Sequence, residues 1–349
     1  MKQFASTNAD RLSRRDFLKV AGGLGISSVG MALLNACGAK PATPSTDELE
    51  TTKITLVKSL PSVCLAPQYL AEELLRQEGF TEIQYVETVG GAAEQPLIAG
   101  EADISLVFVA SSTTKVDVGE PITILAGVHV GCFELFGVDQ ITTINDLKGK
   151  TIPVSAMGAS QHYFLATMLA YVGLDPNKDV NWVVHPPAEA IQLLTENKVD
   201  AFLAFPPTAQ ELRAKKIAHV VVNSMMDDPW SQYFCCMVAA NRNFMQQNPV
   251  ATRRALRAIL KATDLCALEP EKAARFMVDN GYTPNYDYAL EAMKNIPYNR
   301  WREYEPEDTM RFYALRLREA GIIKSSPDEI IAKGTDWTFL NELKVELKA

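Results

Sequence analysis

Three apolar segments of this chain return after a fixed interval of 97 residues, and this repeat constrains the fold more than any other feature. Lys53-Ile54 is echoed by Lys150-Thr151-Ile152, Ile83 to Val86 by Val180 to Val183, and Ala102 to Phe108 by Val199 to Phe205. Between them, Tyr69 and Gly79 match Tyr163 and Gly173 at an offset of 94, so a loop changed length while the strands kept their interval. Each copy alternates short β-branched runs with helical periods, the signature of βαβαβ units. Two such units in tandem imply an α/β protein with parallel sheets carrying helices on both faces.

Within the first copy, Pro67 to Gly79 places Leu70, Leu74 and Leu75 on one helical face and ends on a glycine. Gly90-Gly91 is expected to open a helix running through Ile98. After Tyr233 to Ala240, a last strand, the chain turns helical, with Pro249 to Leu268 the longest amphipathic stretch. Its Arg253, Arg254, Arg257 and Lys261 read as a solvated face.

The first 36 residues have a different character. Ser13-Arg14-Arg15-Asp16-Phe17-Leu18-Lys19 matches a twin-arginine export signal, with Arg14 and Arg15 as the paired arginines. The glycine-containing run from Val20 to Leu34 is too short to span a bilayer stably, which takes about 20 residues. Leu34-Asn35-Ala36-Cys37 reads as a lipobox, with Asn35 a departure from the smaller residue usual there. The expectation is an exported chain whose mature form begins at Cys37 and is held on the outer face of the cytoplasmic membrane by lipid on that residue. Residues 37–52, with Pro41 and Pro44, read as a flexible tether.

Five basic residues (Lys2, Arg11, Arg14, Arg15, Lys19) against Asp10 and Asp16 give residues 1–36 a charge of +3, leaving −11 on the remainder of a chain whose total is −8. Such an acidic surface argues against nucleic acid as a partner. Apart from Cys37, the cysteines are Cys64, Cys132, Cys235, Cys236 and Cys266; none shows zinc-type spacing with the scattered His129, His162, His185 and His219. The expectation is buried thiols acting as small apolar side chains, with no metal and no cofactor.

Several short segments carry a family resemblance. Leu97-Ile98-Ala99-Gly100-Glu101-Ala102-Asp103, Asp146-Leu147-Lys148-Gly149-Lys150, Gly173-Leu174-Asp175, Pro187-Ala188-Glu189-Ala190 and Ala240-Asn241-Arg242-Asn243-Phe244 occur in an order and spacing that covers residues 52–280. In these the chain resembles solute-binding proteins of ABC importers, in the branch of sulfonate, taurine, nitrate and thiamine-pyrimidine-precursor binders. The resemblance implies a two-lobed, type II periplasmic-binding-protein fold, each lobe a βα sheet with flanking helices, and a helical C-terminal section. It implies that one lobe is inserted in the other: lobe 1 from 53–138 plus 232–349, lobe 2 from 139–231. Its implied mechanism is hinge closure on a small molecule by a monomer, followed by docking on a permease and its ATPase.

In doubly wound sheets a ligand lies beyond the carboxyl ends of the strands. That rule nominates Ser62, Gly91, Phe108, Ser111, Phe133 and Glu134 from the first lobe, Ser160, His162 and Phe205 from the second, and Trp230 and Tyr233 near the return crossover. No Arg or Lys falls on these strand ends, and the acidic Glu134 interrupts an apolar strand. The expected ligand is therefore flat and heteroaromatic, neutral or weakly basic, of the vitamin-precursor kind, with Glu134 as the carboxylate that meets its donors. A sulfonate or related organic anion is the alternative within the same importer class. Thiamine-pyrimidine synthases, which share the fold, use a lysine, a histidine and a cysteine-rich run; here only Cys235-Cys236 is paired, and strand alternation turns at most one of those thiols into the cleft. No catalytic residues are assigned. A membrane-tethered ligand sensor on the same fold is the third reading.

Overall fold

The computed structural model describes residues 48–89 and 93–347. The export signal, its Arg14 and Arg15, the lipidation residue Cys37 and the cleft candidate Gly91 all lie outside the described residues.

Among the described residues, ten strands fall into two lobes. The first holds a five-stranded sheet in the order β2-β1-β3-β10-β4, built from β1 (Lys53–Leu60), β2 (Glu82–Val89), β3 (Ile104–Phe108), β4 (Ile122–Val130) and β10 (Phe234–Asn241). The second is built from β5 (Glu134–Gly137), β6 (Thr151–Val154), β7 (Asn181–Val184), β8 (Ala201–Ala204) and β9 (His219–Asn223), paired as β6-β7 and β8-β5-β9. Thr151, at the start of β6, receives the Asp200 amide hydrogen bond at 2.9 Å, which sets β6 beside β8. The spatial order of the second lobe therefore mirrors the first, with β5 in the place that β10 holds.

The repeat has a structural counterpart in its hydrogen bonds. Thr55 N–H donates to the Asp103 carboxylate at 2.7 Å, and Asp103 N–H returns a bond to the Thr55 carbonyl at 2.8 Å. Thr151 and Asp200 make the same pair of bonds, at 2.7 and 2.9 Å. One carboxylate in each lobe thus ties the head of the first strand to the head of the third, satisfying backbone groups that would otherwise end the ladder unpaired.

The sheets are mixed, not wholly parallel as the βα alternation alone implies. β10 runs antiparallel to both β3 and β4, and β5 antiparallel to both β8 and β9. These two strands are where the chain passes between lobes, so each enters its sheet against the direction set by the crossover helices. The lobe boundary shifts accordingly. Residues 134–137, expected in the first lobe, pair with β8 and β9, and the crossovers lie at 131–133 and 224–233. The expected tether also ends sooner than residue 52: the Glu50 carboxylate accepts the Val250 and Ala251 amides, both at 3.0 Å, at the N-terminus of the helix Pro249–Leu268.

That helix has the predicted bounds, buries Ala255, Leu256, Ile259 and Leu260, and packs on the helix Ala66–Gln77. Its basic face is not merely solvated, because Arg257 pairs with Glu78 and with Glu346, the latter at 2.6 Å. The helix Pro306–Glu319 reaches both lobes. Its Tyr313 meets Phe108 at 6.2 Å and Phe164 at 6.1 Å between ring centres.

Candidate ligand cleft

A cavity of about 940 Å³ opens where the carboxyl ends of β1, β3, β6, β7 and β8 converge from the two lobes. Its apolar wall comes from Phe108, Phe133 and Phe205, which pack edge to face, with Phe133 5.0 Å from Phe108 and 5.7 Å from Phe205 between ring centres. Ser62 follows β1, Ser111 follows β3, and Ser160 begins the helix Ser160–Tyr171. All six were nominated from sequence, and the structure brings them to one cavity.

The other nominated residues that are described lie elsewhere. Glu134 is fully buried in β5 and is not part of the cavity wall. Arg213 of the helix Thr208–Lys215 pairs with Glu134 through Nη1 and with Glu291 of the helix Tyr286–Asn295 through Nη2, at 2.6 Å. Burial raises the Glu134 carboxyl against the opposing pull of Arg213. Its place in the fold is that of an ion-pair partner within the second lobe, which corrects its expected role as a ligand acceptor. His162 turns back on its own helix start, its Nδ1 accepting the Gly158 amide at 3.2 Å while its ring meets Trp182 edge-on at 4.8 Å. Trp230 and Tyr233 belong to a second aromatic cluster, where Tyr233 stacks on Phe312 at 3.9 Å and Trp230 meets Phe164 at 5.6 Å.

Three groups in the cavity were not foreseen. Glu94, 3 % exposed, heads the helix Glu94–Ala99 and accepts hydrogen bonds from the Ser111 hydroxyl and, at 3.1 Å, from the Ser112 hydroxyl. Burial raises its carboxyl above the ordinary range, and the two hydroxyls only partly offset this. Lys115, half-buried in the last turn of the helix Val109–Asp117, brings a cation to the same cavity. The third group is a set of thiols: Cys64, Cys132 and Cys236 form part of the cavity wall, and their sulfurs lie with a ring nitrogen of His129 within 4.8 Å of one another. The Cys132 and Cys235 sulfurs are 3.0 Å apart. Hydrogen bonds from Cys132, Cys235 and Cys64 hold the Cys236 thiol well below its ordinary range, whereas burial pushes Cys132 and Cys235 well above it. Burial opposes protonation of His129, but Cys236 and two backbone carbonyls outweigh it and raise the imidazole. The thiols are buried and free, as expected, but they are not scattered: the turn after β1, the end of β4, the first crossover and the start of β10 meet at this point.

The model of the NMT1-like family matches residues 48–278, both lobes and the cavity between them. The chain belongs to the NMT1-like family. This NMT1-like chain is 25% identical over 174 residues to the nitrate/nitrite binding protein NrtA of Nostoc sp., a match covering 48% of this chain and 39% of that protein. Among solved structures, the periplasmic nitrate-binding protein NrtA from Synechocystis superposes with a TM-score of 0.71 at 16% identity, over 86% of this chain and 90% of that one. The alkanesulfonate-binding protein SsuA from Xanthomonas axonopodis pv. citri, bound to MOPS, gives a TM-score of 0.65 at 16% identity, over 83% of this chain and 100% of that one. The fold is the two-lobed type II periplasmic-binding-protein fold.

In this NMT1-like chain the unforeseen groups left different traces in the sequence. Glu94 sits among helix-opening residues, where an acid is ordinary, and only burial distinguishes it. Lys115 lies about two helical turns beyond a strand end and so escapes a rule that inspects the ends alone. The thiols stand 68, 104 and 1 residues apart in the order Cys64, Cys132, Cys236, Cys235, and no local spacing marks residues that only the sheet topology brings together.

Proposed function

We propose that the chain is the solute-binding component of an ABC importer. The observation that carries this reading is the cavity itself: an apolar, aromatic-walled space of about 940 Å³ at the strand ends of two lobes joined by two crossovers. Ligand selection then rests on differential affinity for the closed arrangement of the lobes. Membership in a family whose similar proteins include nitrate- and alkanesulfonate-binding proteins supports a transport role. The permease and its ATPase are the partners this role requires. The twin-arginine motif and Cys37 support delivery to the outer face of the cytoplasmic membrane with a lipid anchor there, and Cys37→Ala is expected to release a soluble form on fractionation.

The ligand proposed is a flat, weakly basic heteroaromatic ring of the pyrimidine type. Phe108, Phe133 and Phe205 supply ring faces and edges, and Glu94, with Ser111 beside it, supplies the acceptor in place of Glu134. A second reading, an organic anion of the sulfonate class, is favoured by Lys115 and by the helix N-terminus at Ser160. Thermal shift of the full chain with aminopyrimidines in one arm and alkanesulfonates in the other separates them. A ligand at a hundred times its dissociation constant adds about 2.7 kcal/mol. A rise in Tm with aminopyrimidines alone supports the first reading, and a rise with alkanesulfonates alone overturns it in favour of the second. Chemical turnover of the bound molecule would overturn the binding role altogether.

A further inference from the structure

We infer that Cys64, His129, Cys132 and Cys236 form a binding site for one thiophilic divalent metal ion at the floor of the cleft. The inference rests on the arrangement of donors and does not depend on the solute-binding reading.

The donors reach one point from four separate places. Cys64 lies in the 3-10 turn after β1, His129 near the end of β4, Cys132 in the crossover to β5, and Cys236 near the start of β10. All four are buried, and their ligating atoms lie within 4.8 Å of one another. A tetrahedral zinc with sulfur at about 2.3 Å requires sulfurs about 3.8 Å apart, so binding asks for a contraction of roughly 1 Å at most. Three thiolates and one imidazole make a closed four-coordinate set, suited to a borderline-soft ion such as zinc or iron(II) and unsuited to magnesium or calcium.

The histidine is independently arranged as a ligand. Its Nδ1 lies 3.2 Å from the Val130 carbonyl and 3.3 Å from the Gly131 carbonyl, which fixes a proton on that nitrogen. Its Nε2 is buried with no hydrogen-bond partner among the described residues. A backbone carbonyl on one nitrogen and a metal on the other is the usual outer support of a ligating histidine. Tyr298 reinforces the site from behind: its ring meets His129 edge-on at 5.2 Å, and its hydroxyl donates to the Cys64 carbonyl at 3.2 Å. Because three of the four ligand residues also form part of the cavity wall, the ion is reachable from the cleft. Binding forms three metal–sulfur bonds and one metal–nitrogen bond, and the displaced thiol protons pass to solvent.

The test is titration of the reduced full chain with cobalt(II), followed by displacement with zinc. One equivalent of cobalt is expected, with thiolate-to-cobalt charge-transfer absorption in the near ultraviolet and the visible bands of a tetrahedral ion. Cys132→Ser and Cys236→Ser are each expected to weaken cobalt binding by more than about 100-fold, a loss at least as large as that for removing an outer support. His129→Gln should shift the visible bands, and Cys266→Ser, buried elsewhere, should change nothing. Circular dichroism confirms that each variant is folded. Failure of the reduced wild-type chain to bind cobalt, binding without thiolate charge transfer, or undiminished binding in folded Cys132→Ser/Cys236→Ser would each overturn the inference.

Discussion

The carboxylate in the cleft is Glu94, and its environment sets a pH dependence with a definite sign. Burial raises its carboxyl above the ordinary value of 4.5, so the folded state holds the proton more tightly than the unfolded chain does. Stability from this group is fully present below the unfolded value and declines as pH rises from about 4.5 through the raised folded value. Glu94→Gln keeps an acceptor for Ser111 and Ser112 and removes the ionisation. Its Tm relative to wild type is therefore expected to climb as pH goes from 4 to 8, by measurement in parallel buffers on the order of the shifts that buried carboxyls support. A constant difference across that range would show that burial does not raise the Glu94 carboxyl. Sequence reasoning chose Glu134 instead, for a physical reason. Strand alternation fixes which side chains share a face only after the strand's start is known, and the turn at Gly131 puts residues 131–133 outside β5. Phe133 and Cys132 consequently both form part of the cavity wall, while Glu134 turns into the second lobe. The aromatic and serine residues were legible because they sit directly at strand ends, where topology alone decides their exposure to the cleft.

Among the side chains through which elements meet across the lobes, Arg213 carries a buried charge pair. It leaves the helix Thr208–Lys215 in the second lobe, neutralises the buried Glu134, and reaches Glu291 on a helix of the C-terminal section. The two partners differ in burial: the Glu134 side chain is 1% exposed and that of Glu291 is 43% exposed. Arg213→Ala strands Glu134 as an uncompensated charge and is expected to cost about 3 kcal/mol, the lower end for a broken buried pair. Glu291→Ala removes only a solvated contact, for about 0.2 to 1 kcal/mol. Denaturant unfolding of both variants checks the ordering, and equal losses would refute the division of roles. Neither partner of Arg213 was visible in the sequence, since 79 residues separate it from Glu134 and 78 from Glu291. The elements themselves were legible: the helix Pro249–Leu268 carries its own proline start and apolar stripe, and β1 to β4 carry their β-branched runs. What local pattern cannot give is the direction in which β5 and β10 enter their sheets, because that depends on where the chain changes lobe.

At the scale of the molecule, the two lobes share one strand order, and the two crossovers between them are clamped together. Phe133 on the outward crossover and Ser224 on the return crossover exchange three hydrogen bonds: Phe133 N–H to Ser224 Oγ at 2.9 Å, Ser224 Oγ–H to the Phe133 carbonyl at 2.7 Å, and Ser224 N–H to that carbonyl at 2.9 Å. Gly131 makes the approach possible, with φ at +42° and no room for a β-carbon against the Ser224 carbonyl. Any lobe movement would have to bend two crossover segments held side by side, not a loose linker, and Phe133 carries that clamp directly into the cavity wall. Ser224→Ala leaves the buried Phe133 amide unpaired, at about 1 to 3 kcal/mol, while keeping the Ser224 amide bond. Gly131→Ala forces the two crossovers apart and strains a left-handed residue, for a loss of more than about 1 kcal/mol. If the clamp governs lobe movement, Gly131→Ala also enlarges the radius of gyration of the chain in small-angle scattering, whereas Ser224→Ala, which keeps the close approach, leaves it nearly unchanged. Loss of stability in both variants with no change in dimensions in either would show that the clamp supports the fold without setting the separation of the lobes.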